Sequence, residues 1–220
     1  MSAAIWLLDY GVSDDSLDTY LSWFHHVHVP EKLARAGYTW AAHYRVCESM
    51  PKAGSTRFLG VFGGESPRVF LDPSPAQLKL RQSGETREMM SLRIDGRSTV
   101  YCEEWESHAG GNATRSPRDL LCAVLCLERY DADGHDEDLA AWCAQEHMPH
   151  FAGSDGCIAS RKLIASAGGP RHAVVHELND TRSAHDIARG EPSTEWRQRI
   201  EATVSRPLGA ALIAERIWPT

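Results

Sequence analysis

Residues 23–37, WFHHVHVPEKLARAG, and residues 142–156, WCAQEHMPHFAGSDG, share one skeleton at a spacing of 119 residues. Trp23 aligns with Trp142, His28 with His147, Pro30 with Pro149 and Gly37 with Gly156, without a gap. Two tryptophans and two prolines among these matches argue for two related halves, each placing a histidine at one structural position.

Periodicity extends the pattern in both directions. Residues 4–10 read as a strand, and Asp14, Asp15 or Ser16 can cap the helix that follows. Leu17, Tyr20, Leu21, Phe24 and His28 recur at helical spacing as one apolar stripe. Pro30 disfavours helical geometry at Val29, so a break or kink is expected there, and Gly37 terminates the short turn beyond it. Residues 38–47, 58–62 and 98–105 read as strands, with a weaker helical pattern over 74–92. The second half repeats the order, with strands at 120–129, 157–165, 173–178 and 210–218 and helical stretches at 137–147 and 183–204. Residues 107–118, SHAGGNATRSPR, have linker composition, which divides the chain into repeats at 1–106 and 119–220.

Each half therefore has the order β-α-β-β-α-β, the ferredoxin-like arrangement. Residues 4–8 and 120–127 are nearly continuous in apolar side chains, which suits strands buried on both faces. The expected fold is α+β: two ferredoxin-like repeats packed sheet to sheet as an α/β barrel within one chain.

Composition limits the function. The 220 residues carry a net charge of −7 and no cluster of Lys and Arg, which argues against a nucleic-acid partner. No apolar run approaches the roughly 20 residues that span a bilayer, and no secretory leader is evident, so cytoplasmic residence is expected. The six cysteines form no CxxC pair and read as free, mostly buried thiols. Phosphate loops, GxSxG elbows and dinucleotide fingerprints are absent from the sequence.

With Trp23, His28, Pro30, Gly37 and the strand HYRV at 43–46, and again Trp142, Glu146, His147, Pro149, Gly156 and SRKL at 160–163, the chain resembles the dimeric α/β-barrel superfamily, and within it EthD-like proteins. That superfamily includes monooxygenases, cyclases, isomerases, dehydratases and haem proteins, so the resemblance implies a fold more narrowly than a reaction.

The candidate catalytic residues are His28, His147 and His43. Burial disfavours an imidazolium at the first two, the negative end of a helix favours it, and a ring poised between them suits acid–base work. His43 and Arg45 point to one side of their strand. With Tyr44, His25, Trp23, Glu103 and His176 they complete the candidate substrate-binding set. His25 with His28, and His147 with His150, offer two ligands each and no third at a recognisable spacing, so no metal is expected. The leading expectation is a cofactor-independent lyase, isomerase, cyclase or dehydratase acting on a small apolar carbonyl or aromatic compound between helices and sheet. The first half, richer in polar groups, is the expected active half. A haem protein with a histidine axial ligand, a cofactor-free monooxygenase and a non-enzymatic carrier are the alternatives. An internal barrel is compatible with a monomer or a homodimer.

Overall fold

Strand β1, Ala4–Ser13, is buried along nearly its whole length because both of its faces are covered. In the computed structural model, which describes residues 3–47, 54–110, 120–208 and 211–220, seven further strands join it. They are β2 Tyr38–Val46, β3 Ser55–Gly64, β4 Arg93–His108, β5 Val124–Tyr130, β6 Cys157–Ala167, β7 His172–Leu178 and β8 Leu212–Trp218. All pair antiparallel in one closed barrel of order β1-β3-β2-β8-β5-β7-β6-β4. Each half contributes a sheet of the same internal order, β4-β1-β3-β2 and β8-β5-β7-β6. The β2–β8 and β4–β6 ladders close the two into a ferredoxin-like α/β barrel within one chain.

The strand period of two decides what each side chain meets. Ile5, Leu7, Leu59, Val61, Leu125, Leu127, Leu163 and Val175 fill the barrel interior. Only about 10 Å³ is left among them, room for one water at most. The interior is core. Trp6, Leu8, Tyr10 and Val12 point the other way, under the helices of the first half, where they join Tyr20, Trp23, Phe24, Phe58, Phe62 and Phe70.

The helices depart from expectation in an instructive way. No side chain caps the first helix; Asp14 instead accepts a hydrogen bond from Thr56. The chain does not break at Val29. Helix Leu17–Trp23 widens into a π-helical turn, Phe24–His28, and continues as Val29–Leu33. The Val29 N–H reaches back five residues to the Phe24 carbonyl, and the wide turn absorbs the donor that Pro30 lacks. The second half repeats this detail: Asp136–Trp142, the π turn Cys143–His147 with Met148 N–H bonded to Cys143, then Met148–Ala152. Gly37 and Gly156 end these units at φ +85° and +90°. A Cβ at Gly37 would sit 2.4 Å from Val69 Cγ1, and one at Gly156 would sit 2.3 Å from Ser183 Oγ.

The remaining helical stretches are shorter than their patterns. The 74–92 region forms Pro75–Lys79 and Gly84–Ser91, and 183–204 forms Thr181–Gly190 and Glu195–Thr203. Pro192 holds Glu191 in extended geometry between the latter two. β4 runs on through Ser107 and His108, the first two residues of the expected linker, and residues 111–119 lie outside those described. The register of β4 against β6 shifts between Glu103 and Trp105. Trp105 packs on the helix side of the second sheet, and Glu106 joins Glu103 at Arg161. Among the described residues, no helix is long and apolar enough to cross a membrane.

Candidate functional site

His28 ends the first π turn and is 3% exposed. Its ring lies against Trp23 (centroids 4.8 Å apart) and Phe24 (5.4 Å), so the motif tryptophan packs the motif histidine. Nδ1 is buried without a protein hydrogen-bond partner. Burial, reinforced by the nearby cations Arg93 and Lys32, lowers its pKa to about 2. His28 is therefore a neutral imidazole across the physiological range.

The ring forms part of the wall of a cavity of about 410 Å³ between helices and sheet. Trp6, Leu8, Tyr10 and Met90 supply apolar wall; Lys32, Gln82, Arg93 and Ser98 supply polar groups. The Arg93 guanidinium lies 4.3 Å from the centre of the Tyr10 ring and donates through Nε to the Tyr20 hydroxyl at 2.7 Å. Its Nη2 is buried with no protein acceptor. Burial, with Arg35 beside it, brings Lys32 down to about 8.

From Tyr10, a wall residue of this cavity, a hydrogen-bonded chain leads outward. The Tyr10 hydroxyl is 2.9 Å from His43 Nε2, and His43 Nδ1 is 2.8 Å from His25 Nε2. Burial holds His43 well below the usual histidine range and, with His26, brings His25 to about 4. Both are neutral, and a neutral imidazole accepts at one nitrogen while it donates at the other. A consistent tautomer set has Tyr10 donating to His43 and His43 donating to His25. Partly exposed, His25 stacks on Trp218 at 5.7 Å.

His147 occupies the matching place in the second half and stacks on Trp142 at 4.4 Å, yet its surroundings are opposite. Nε2 lies 2.9 Å from Glu128 Oε2 and 3.3 Å from His176 Nε2, and Nδ1 lies 2.5 Å from Glu191 Oε1. Burial alone would lower its pKa, but Glu128 and Glu191 outweigh that and raise it to about 9. Glu128 also accepts from the Tyr130 hydroxyl, and His176 Nδ1 meets Ser160 Oγ at 2.7 Å. Glu191 enters from the extended step before Pro192.

The structure thus brings His28 to the first cavity with Trp23 packed behind its ring, His43 and His25 to the chain leading outward, and His147 and His176 into a separate cluster. Three proposed binding residues lie elsewhere. Tyr44 faces the barrel interior, on the opposite side of β2 from His43, and its hydroxyl donates to the Cys122 carbonyl at 3.0 Å. Arg45 is exposed. Glu103 pairs with Arg161, which also bonds the fully buried Glu177 at 2.8 Å. Arg93, Lys32, Tyr10, Glu128 and Glu191 were not singled out by sequence. Alternation along β1 and β5 signals Tyr10 and Glu128, and the Glu191-Pro192 step signals an extended residue; nothing local signals Arg93.

The fold and the two helix–sheet spaces define an α/β barrel of the dimeric ferredoxin-like kind. No family model matches the chain, and no curated protein matches it in sequence. Among solved structures it is similar to an anthrone oxidase-like protein, with 13% identity, 99% of this chain and 92% of that one covered and a TM-score of 0.62. A candidate chlorite dismutase aligns at 12% identity over 99% and 95% of the two chains with a TM-score of 0.61. A candidate monooxygenase from Fusobacterium nucleatum subsp. nucleatum aligns at 10% identity over 98% and 91%, TM-score 0.59. At such identities the likeness is one of fold.

Proposed function

We propose that the chain is an enzyme that removes a proton from a small, largely aromatic compound bearing a carbonyl or phenol oxygen, bound in the cavity of the first half. One observation carries this reading: a neutral His28 whose Nδ1 has no protein partner and Arg93, whose Nη2 has no protein acceptor, line one cavity that is otherwise mostly apolar. Aromatic surface on Trp6 and Tyr10 suits a planar substrate. The substrate oxygen sits at Arg93, with Lys32 beside it, where charge forming on it is matched by a cation already in place. His28 takes the proton. Burial first, then Arg93 and Lys32, hold its proton affinity down at rest, and a new oxyanion beside the two cations relieves their share of that penalty as the proton transfers. Tyr10, His43 and His25 form the route by which protons exchange with solvent. The product is then an isomer, a cyclised compound or a dehydrated one.

Under the oxygenase reading the same deprotonated substrate reacts with dioxygen. Anthrone, suggested by the fold relative's name, and substituted naphthols are suitable probes. Turnover with no oxygen consumed supports the isomerase or lyase reading, and oxygen uptake matched to product supports the oxygenase. Bound probe without product after long incubation identifies a carrier and overturns the proposal.

A haem reading has one observation in its favour, the His28 nitrogen without a protein partner. His28 would hold the iron, Arg93 and Lys32 the propionates, and the haem would supply redox chemistry. His147 does not fit that role, since carboxylates engage both of its nitrogens. A Soret band in the purified protein decides between the two readings.

A further inference from the structure

The cluster around His147 lies apart from the His28 cavity, and the proposed reaction does not use it. Glu128 from β5, His147 from the π turn and His176 from β7 each offer one ligand atom, and the three atoms lie within 4.8 Å of one another. His147 is 1% exposed, His176 fully buried and the Glu128 side chain 11% exposed. We infer that these three residues form a binding site for a divalent transition-metal ion of the zinc class, one that fastens the second helical layer to its sheet.

Three features support the assignment. The first is spacing. Ligands about 2.0–2.1 Å from a tetrahedral zinc lie about 3.3 Å from one another. The two Nε2 atoms are 3.3 Å apart, and His147 Nε2 is 2.9 Å from Glu128 Oε2. The second is the outer layer. Metal-bound imidazoles are held by a partner on their other nitrogen. Here Glu191 holds Nδ1 of His147 at 2.5 Å and Ser160 holds Nδ1 of His176 at 2.7 Å. The third is chemistry. Two imidazoles and a carboxylate are a common donor set for zinc and its neighbours. The Tyr130 hydroxyl donates to Glu128 and holds that carboxylate in place. Sequence spacing paired His147 with His150. His150 instead faces the Ile187 carbonyl at 3.2 Å, and the second imidazole arrives from a strand 29 residues downstream of His147.

The test uses the full-length protein, refolded from chelator with either Zn2+ or Co2+. The site predicts one ion per chain by elemental analysis, the visible d–d bands of tetrahedral Co2+, and a higher Tm with Zn2+ than with chelator. Glu128→Gln and His176→Gln abolish stoichiometric binding, whereas Ser160→Ala weakens it about 10- to 100-fold with the ligands intact. His28→Ala leaves it unchanged. Should the ligand variants fail to fold, the wild-type cobalt spectrum and the Ser160→Ala affinity decide the matter. Folded wild-type protein that takes up no Zn2+ or Co2+ overturns the assignment, as does an ion retained by Glu128→Gln and His176→Gln. Neither result bears on catalysis at His28.

Discussion

His28 and His147 stand 119 residues apart on matching π turns, each packed on the tryptophan five residues before it, and in the metal-free protein one is neutral and the other protonated. One ring meets cations and a cavity; the other lies between two carboxylates. Equivalent backbone placement thus gives one histidine suited to accepting a proton and one that ties a core together.

The pair should separate in a stability experiment. His147→Ala takes away the imidazole that Glu128 and Glu191 both engage, leaving Glu191 to Arg197 and Glu128 to the more distant Arg206, a loss on the order of 3 kcal/mol. His28→Phe keeps the aromatic stack and removes a polar atom that has no partner, so it is neutral or stabilising. Urea unfolding of the two variants at neutral pH checks both signs.

Acid should separate wild type from His28→Phe further. The folded-state pKa of His28 is about 2, below the roughly 6.5 of an unfolded histidine. A depressed histidine pKa gives stability that is complete above pH 6.5 and is lost as pH falls, because only the unfolded chain takes the proton. At pH 5 this costs the wild type about 2 kcal/mol that the variant does not lose. Denaturation midpoints of both proteins between pH 7 and pH 5 show the gap opening or fail to.

Asp9 fastens the halves to each other. Its carboxylate takes two 2.7 Å bonds from Arg57 on β3 and one from Arg129 on β5, and these outweigh burial in lowering its pKa. Asp9→Asn leaves two cations unmatched and costs about 3–5 kcal/mol. A shift in the urea midpoint, with unfolding still a single transition, is the expected result.

Gly37→Ala and Gly156→Ala each force a side chain into the left-handed region, at about 1–2 kcal/mol, before the contacts with Val69 and Ser183 are counted. Both variants melt below wild type in a thermal scan.

The matching places of the two histidines, the two glycines and the barrel were legible because they rest on local rules: helical spacing, a left-handed terminator and strands without a polar face. The π turns were not, since Pro30 reads as a breaker until the N–H of the residue before it is seen to reach the carbonyl five residues back. Tyr44 followed from adjacency to His43, although neighbours on a strand face opposite ways. The charge state of His147 was beyond reach because Glu128 and Glu191 come from other elements, one of them through the Pro192 break. His28 was identified as a candidate, but its neutrality rests on burial first and then on Arg93, 65 residues away.

The central claim is that His28, in an open cavity beside Arg93, accepts the substrate proton. Turnover by His28→Phe on a probe that the wild type converts tests it most directly, with folding confirmed and probe binding measured in parallel. The account predicts a fall in kcat of about 10²- to 10⁴-fold with binding retained. A folded His28→Phe that turns over at the wild-type rate would contradict it.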